Sequence, residues 1–200
     1  MSDFEYFFTF FGLLLGLTMT EVASKFADAI ENRAKRPMGL LTPLLACFVL
    51  LDVASLWLWI WSGRSSITIR WDTVFAALAI AITYYLCAAL VFPRHSTVRT
   101  LDEHYWEYKR YILSGILAVQ TVILGVGLFQ QLPHSGDFWF FAWQIAYYAP
   151  LLVVLISRSR RLDIAMLSLA VFLYALNFSS VLPSSQWAKN IGIDGTASPK

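Results

Sequence analysis

Apolar residues along this chain come in six long runs, each closed by a short polar or basic stretch. The runs are Phe4–Ala27, Gly39–Trp61, Trp71–Phe92, Tyr111–Phe129, Phe138–Ile156 and Asp163–Leu182. Each is near the roughly 20 residues that cross a hydrocarbon layer about 30 Å thick at 1.5 Å rise per residue. Hydrophobicity sustained over that length is neither the alternation of a half-buried strand nor the single stripe of a surface helix. Within lipid the backbone must satisfy its own polar groups, which makes these segments helices. The pattern predicts an all-α fold, a polytopic transmembrane helical bundle of about six spans over residues 1–183. Pro150 interrupts the fifth run, which neighbouring spans tolerate where they satisfy the freed carbonyl.

The connections add direction. Basic residues gather after the first, third and fifth runs: Arg33, Lys35 and Arg36, then Arg94, Arg99, Lys109 and Arg110, then Arg158, Arg160 and Arg161. The opposite side has Arg64, Arg70, Lys189 and Lys200. Short basic loops stay cytoplasmic, so both termini are expected outside, N-out and C-out. The tryptophans at 57, 59, 61, 71, 139 and 143 fall at the outer edges, as an interfacial belt would. Residues 97–110 read as a cytoplasmic amphipathic segment leading into the fourth span, with Tyr105, Trp106 and Tyr108 near the membrane surface. Residues 184–200, with Ser, Gly and Pro, read as a flexible tail. The opening Met-Ser-Asp-Phe-Glu has no basic n-region, so the first run is read as a retained span and not a signal peptide.

Composition supports the bilayer. Hydrophobic residues form 58% of the 200 and charged residues 14%. Soluble domains have about 45–50% and about 25%. The net charge of +2 is small, and its basic residues are dispersed in loops, so no nucleic-acid partner is expected. The partners expected are the lipid bilayer with its anionic headgroups, and a second copy or another membrane protein. The two cysteines, Cys47 and Cys87, stand alone in apolar runs and are read as buried thiols acting as small hydrophobes. No metal-ligand spacing, phosphate loop or nucleophile motif is present, and no cofactor is expected. This is the composition of a multi-pass protein of a bacterial inner membrane.

Candidate chemistry therefore rests on polar residues inside the spans, each costing about 2.5–3.5 kcal/mol to insert if charged. Glu21 shares a helical stripe with Thr18, Lys25 and Asp28, so pairing with Lys25 competes with a role as a proton or cation site. Asp52 is deeper, with no basic residue within a helical turn. Gln120 and Thr121, Gln144 and Asn177 are the polar groups that other spans offer it. Gly12 and Gly16, four apart, allow close helix packing or dimerisation. The three histidines, His95, His104 and His134, fall in connections and give no haem or metal pattern. Asp102, Glu103 and His104 are the one cluster that an enzyme would use, but consecutive helical residues diverge by about 100°. The leading expectation is an oligomeric ion or proton channel or transporter component. Its route would pass Glu21, Asp52, Gln120, Gln144 and Asn177. The rival is a non-transporting accessory or scaffold subunit of a larger membrane complex.

Overall fold

The computed structural model describes residues 2–34, 37–64, 67–93, 100–130 and 132–178. They form six helices and no strand: α1 Asp3–Glu31, α2 Leu41–Ser62, α3 Trp71–Val91, α4 Leu101–Gln130, α5 Phe138–Ile156 and α6 Arg160–Phe178. Five of them, α1 to α5, are long and apolar enough to cross a membrane. The polar residues at the helix ends serve as caps. Ser2 accepts from the Glu5 amide at 3.3 Å, and the Glu5 carboxylate accepts from the Ser2 amide at 2.8 Å. Two of the amides left open at a helix start are satisfied in this way. Asp137 does the same for α5 by accepting from the Phe140 amide at 3.2 Å.

The expected spans and the helices coincide closely for α2, α3 and α5, and α1 runs on to Glu31. Two differences carry meaning. Residues 101–110 are the first turns of α4 itself, a helix about 45 Å long at 1.5 Å per residue. Tyr105 there does not lie on a membrane surface but is buried in the bundle, 1% exposed. Helix α6 begins three residues before the expected span, with Arg160 and Arg161 in its first turn. Residues 97–99, the end of the sixth expected span at 179–182, and the tail at 184–200 lie outside the described residues.

Neighbouring helices form a closed circuit in the order α1, α3, α4, α5, α6, α2. Helix α2 also reaches inward to α3 and α4, so its backbone runs close to that of every helix except α5. That is why its buried positions, from Leu41 through Phe48, Val49 and Asp52 to Ile60, occur on all its sides. Helix α1 touches only α2 and α3 among the described residues. Its buried positions Phe7, Phe11, Leu15, Thr18 and Val22 recur every three or four residues and form one face. The outward faces stay apolar: Leu13, Phe75, Ile145 and Phe172 are all more than half exposed. An apolar exterior around an apolar core suits a protein whose solvent is lipid. Of the two thiols, Cys87 is buried and Cys47 is exposed on that apolar exterior.

Close packing of α3 on α4 depends on Gly115. A Cβ there would stand 2.6 Å from the Cys87 sulfur. Cys87 in turn donates to the Ile112 carbonyl at 3.5 Å. Where α1 begins and α2 ends, Phe8 packs between Trp57 and Trp61 with centroids 4.9 and 5.0 Å away. These indoles thus belong to a helix contact as well as to the expected belt.

Candidate functional site

Asp52 is at the middle of α2, about 16 Å along it from Leu41. Its side chain is wholly buried, 0% exposed. Four donors converge on it, each from a different helix. Tyr84 of α3 donates to Oδ2 at 2.6 Å. On Oδ1, Gln120 of α4 donates from Nε2 at 3.1 Å and Tyr147 of α5 from its hydroxyl at 3.1 Å. Tyr174 of α6 makes the shortest bond, also to Oδ1. Three of the four donors crowd Oδ1 and one holds Oδ2, so the carboxylate is engaged at both oxygens but unevenly. The Gln120 amide also reaches the Tyr84 hydroxyl at 3.1 Å, which closes the network on itself.

This arrangement resolves the problem that Asp52 poses in the sequence. No cation is needed, because neutral hydroxyl and amide donors supply the stabilisation that water would otherwise give. Three phenol rings also surround the polar atoms with apolar surface, and Tyr147 and Tyr174 meet edge to face. The result is a polar knot that ties α2 to α3, α4, α5 and α6 through one side chain. Only α1 contributes nothing to it.

Among the residues named from sequence, Gln120 is the one that joins Asp52. Glu21 is half-buried on α1, and its carboxylate has no hydrogen bond or ion pair among the described residues. Lys25 pairs with Asp28 at 3.8 Å instead, in an exposed contact of little energetic weight. Gln144 is half-buried and Asn177 exposed, and neither reaches the knot. Thr121 donates to its own helix at Leu117 and meets Tyr148 at 3.4 Å. Gly12 lies against Trp57, where a Cβ would stand 3.1 Å from the indole nitrogen, while Gly16 faces open space. Both line an apolar groove of about 460 Å³ between α1 and α2.

Sequence reasoning missed the three tyrosines. A signal was available. Tyrosine in a membrane protein favours the interface, where its hydroxyl is wet, yet Tyr84, Tyr147 and Tyr174 fall in the interiors of their helices. A phenol at that depth needs a partner as much as a carboxylate does.

A second buried carboxylate lies near the basic ends of the helices. Asp163 of α6, 0% exposed, accepts from Lys109 Nζ at 2.6 Å and from the Tyr105 hydroxyl at 2.9 Å, both on Oδ2. Lys109 also donates to the Ser157 carbonyl at 2.7 Å and lies over the Trp106 ring, 4.1 Å from its centroid. This clamps the base of α4 to the α5–α6 turn. Beside it, Arg160 pairs with Asp102 at 3.1 Å, and Asp102 packs directly on Gly39. His104 is held by the Leu90 carbonyl at 2.8 Å, so Asp102 and His104 are separately engaged and do not converge on a common point. Among the described residues no group of three metal-ligating side chains occurs.

Comparison of the chain with family models, curated proteins and solved structures gives no match.

Proposed function

We propose that this chain is a non-transporting membrane subunit, a rigid scaffold within a larger membrane assembly, with α6 completing six crossings. One observation carries the reading: Asp52, the acid placed deepest in the spans, is fully buried and accepts from side chains of four neighbouring helices. An ion or proton station must exchange partners with water or with a passing ion. A carboxylate with four protein donors and no exposed surface is better suited to fixing helix positions. The test is purification from the native membrane in a mild detergent, alongside a flux assay on the isolated chain in liposomes. A stoichiometric second protein and no flux are the expected results. A pure homo-oligomer that conducts protons or ions would replace this reading with the channel.

The channel or transporter reading retains one observation in its favour, the half-buried Glu21 carboxylate with no partner among the described residues. In that reading Glu21 faces water or a cation and the Asp52 knot is the wall beside it. Flux through liposomes that is abolished by Glu21→Gln and retained by Tyr84→Phe would support it.

A further inference from the structure

The two ends of the bundle use their cations differently. At the end where α2 and α4 finish and α3 and α5 begin, the described arginines are Arg64 and Arg70, and both are engaged. Arg64 donates to the Trp61 carbonyl at 3.3 Å and lies over the Trp61 ring at 5.1 Å. Arg70 meets Asp72 at 3.6 Å. At the other end the two acids that face the bundle are taken from inside, Asp163 by Lys109 and Asp102 by Arg160, while Glu31, Glu103 and Glu107 are exposed. Arg33 on the α1 side and Arg110, Arg158 and Arg161 on the α4–α6 side are exposed, with no ion-pair partner among the described residues. The bond from Lys109 to the Ser157 carbonyl sets the backbones of the last three near one corner of the bundle, since Arg110 follows Lys109, Arg158 follows Ser157, and Arg161 lies in the adjoining first turn of α6.

We propose that this corner binds the phosphate of an anionic lipid headgroup. Charge complementarity selects the occupant: unpaired guanidiniums offer planar donor forks that match phosphate oxygens, and the corner stands at the end of five helices apolar enough to lie in lipid. The inner clamp holds the corner in shape, because Lys109 and Arg160 are spent on protein acids and leave their neighbours free. The surface is an assigned one within the basic rim, and it does not depend on whether the chain transports anything.

Native mass spectrometry of the full chain, titrated with phosphatidylglycerol against phosphatidylcholine, tests the assignment. The preference for phosphatidylglycerol is expected to fall about fivefold with each of Arg158→Gln and Arg161→Gln, from a surface attraction of about 1 kcal/mol per arginine. Arg33→Gln, at the same end but on α1, is expected to leave it nearly unchanged. An equal loss from Arg33→Gln would overturn the corner in favour of a uniform rim, and an unchanged preference in the double variant would overturn it outright. Displacement of the lipid by equimolar inorganic phosphate would assign the arginines to free phosphate instead. Unaltered thermal midpoints in phosphatidylcholine show that the variants are folded.

Discussion

Asp52 and Asp163 are both aspartates with no exposed surface, and the chain stabilises them by opposite means. Asp52, at mid-depth, has four neutral donors from four helices, so the polar stabilisation is spread across the bundle and no further charge is buried. Asp163, near the basic end, is matched by one cation, Lys109, whose other contacts are a carbonyl and an aromatic face. Depth accounts for the difference. A lysine taken to the middle of the layer would add its own insertion cost, while near the helix ends it reaches its site from a wetter region. The first solution distributes dependence over many residues. The second concentrates it on one oxygen, shared by Lys109 and the Tyr105 hydroxyl, and leaves Asp163 Oδ1 without a donor among the described residues.

The contrast predicts an order of sensitivity, readable as unfolding free energies in a mixed-micelle denaturation series. Lys109→Met should have the largest effect, a loss of about 3–5 kcal/mol, because it leaves a buried charge uncompensated. Adding Asp163→Leu should recover most of that loss, since removing both charges also removes the reason for the pair. If the double variant is as unstable as the single one, the clamp is packing and not electrostatics.

Asp52→Asn should come next, at about 2–3 kcal/mol, because the amide keeps one acceptor oxygen and turns a donor toward tyrosine hydroxyls. Gly39→Ala follows at about 1–2 kcal/mol, since its Cβ would stand 1.9 Å from an Asp102 oxygen and push that carboxylate off Arg160. Each of Tyr84→Phe and Tyr147→Phe should cost about 1 kcal/mol or less, near the usual value for one hydrogen bond within a membrane protein. A much larger cost from a single tyrosine would show that the knot is not shared as the geometry indicates. Gly16→Ala, with nothing within 4 Å, should change stability by less than about 0.5 kcal/mol.

The helical architecture was legible because long apolar runs admit few alternatives in lipid. Asp52 stood out for the same reason, as did Gln120, one of the few neutral polar side chains inside a span. The tyrosines did not, because their rings count as apolar in any hydropathy profile and their hydroxyls appear only when depth is considered. The Lys109–Asp163 pair was hidden differently. The residues are 54 positions apart, and each sits where a span was expected to begin or end, so each passed for a solvated edge. Gly115 has no small residue four positions away, with Tyr111 and Val119 there instead, so the spacing that drew attention to Gly12 and Gly16 passed over the glycine that brings α3 and α4 together.

The order of the knot along the chain also bears on how the protein is made. Its acceptor enters with the second helix, and its donors follow at 84, 120, 147 and finally 174, which is 122 residues after the aspartate. At synthesis rates of roughly 5–20 residues per second, the carboxylate waits roughly 6–24 seconds for its last partner. Until then α2 is an apolar helix with one incompletely satisfied carboxyl group near its middle. Any chain stopped before α6 lacks the Tyr174 donor and keeps three of the four bonds to Asp52.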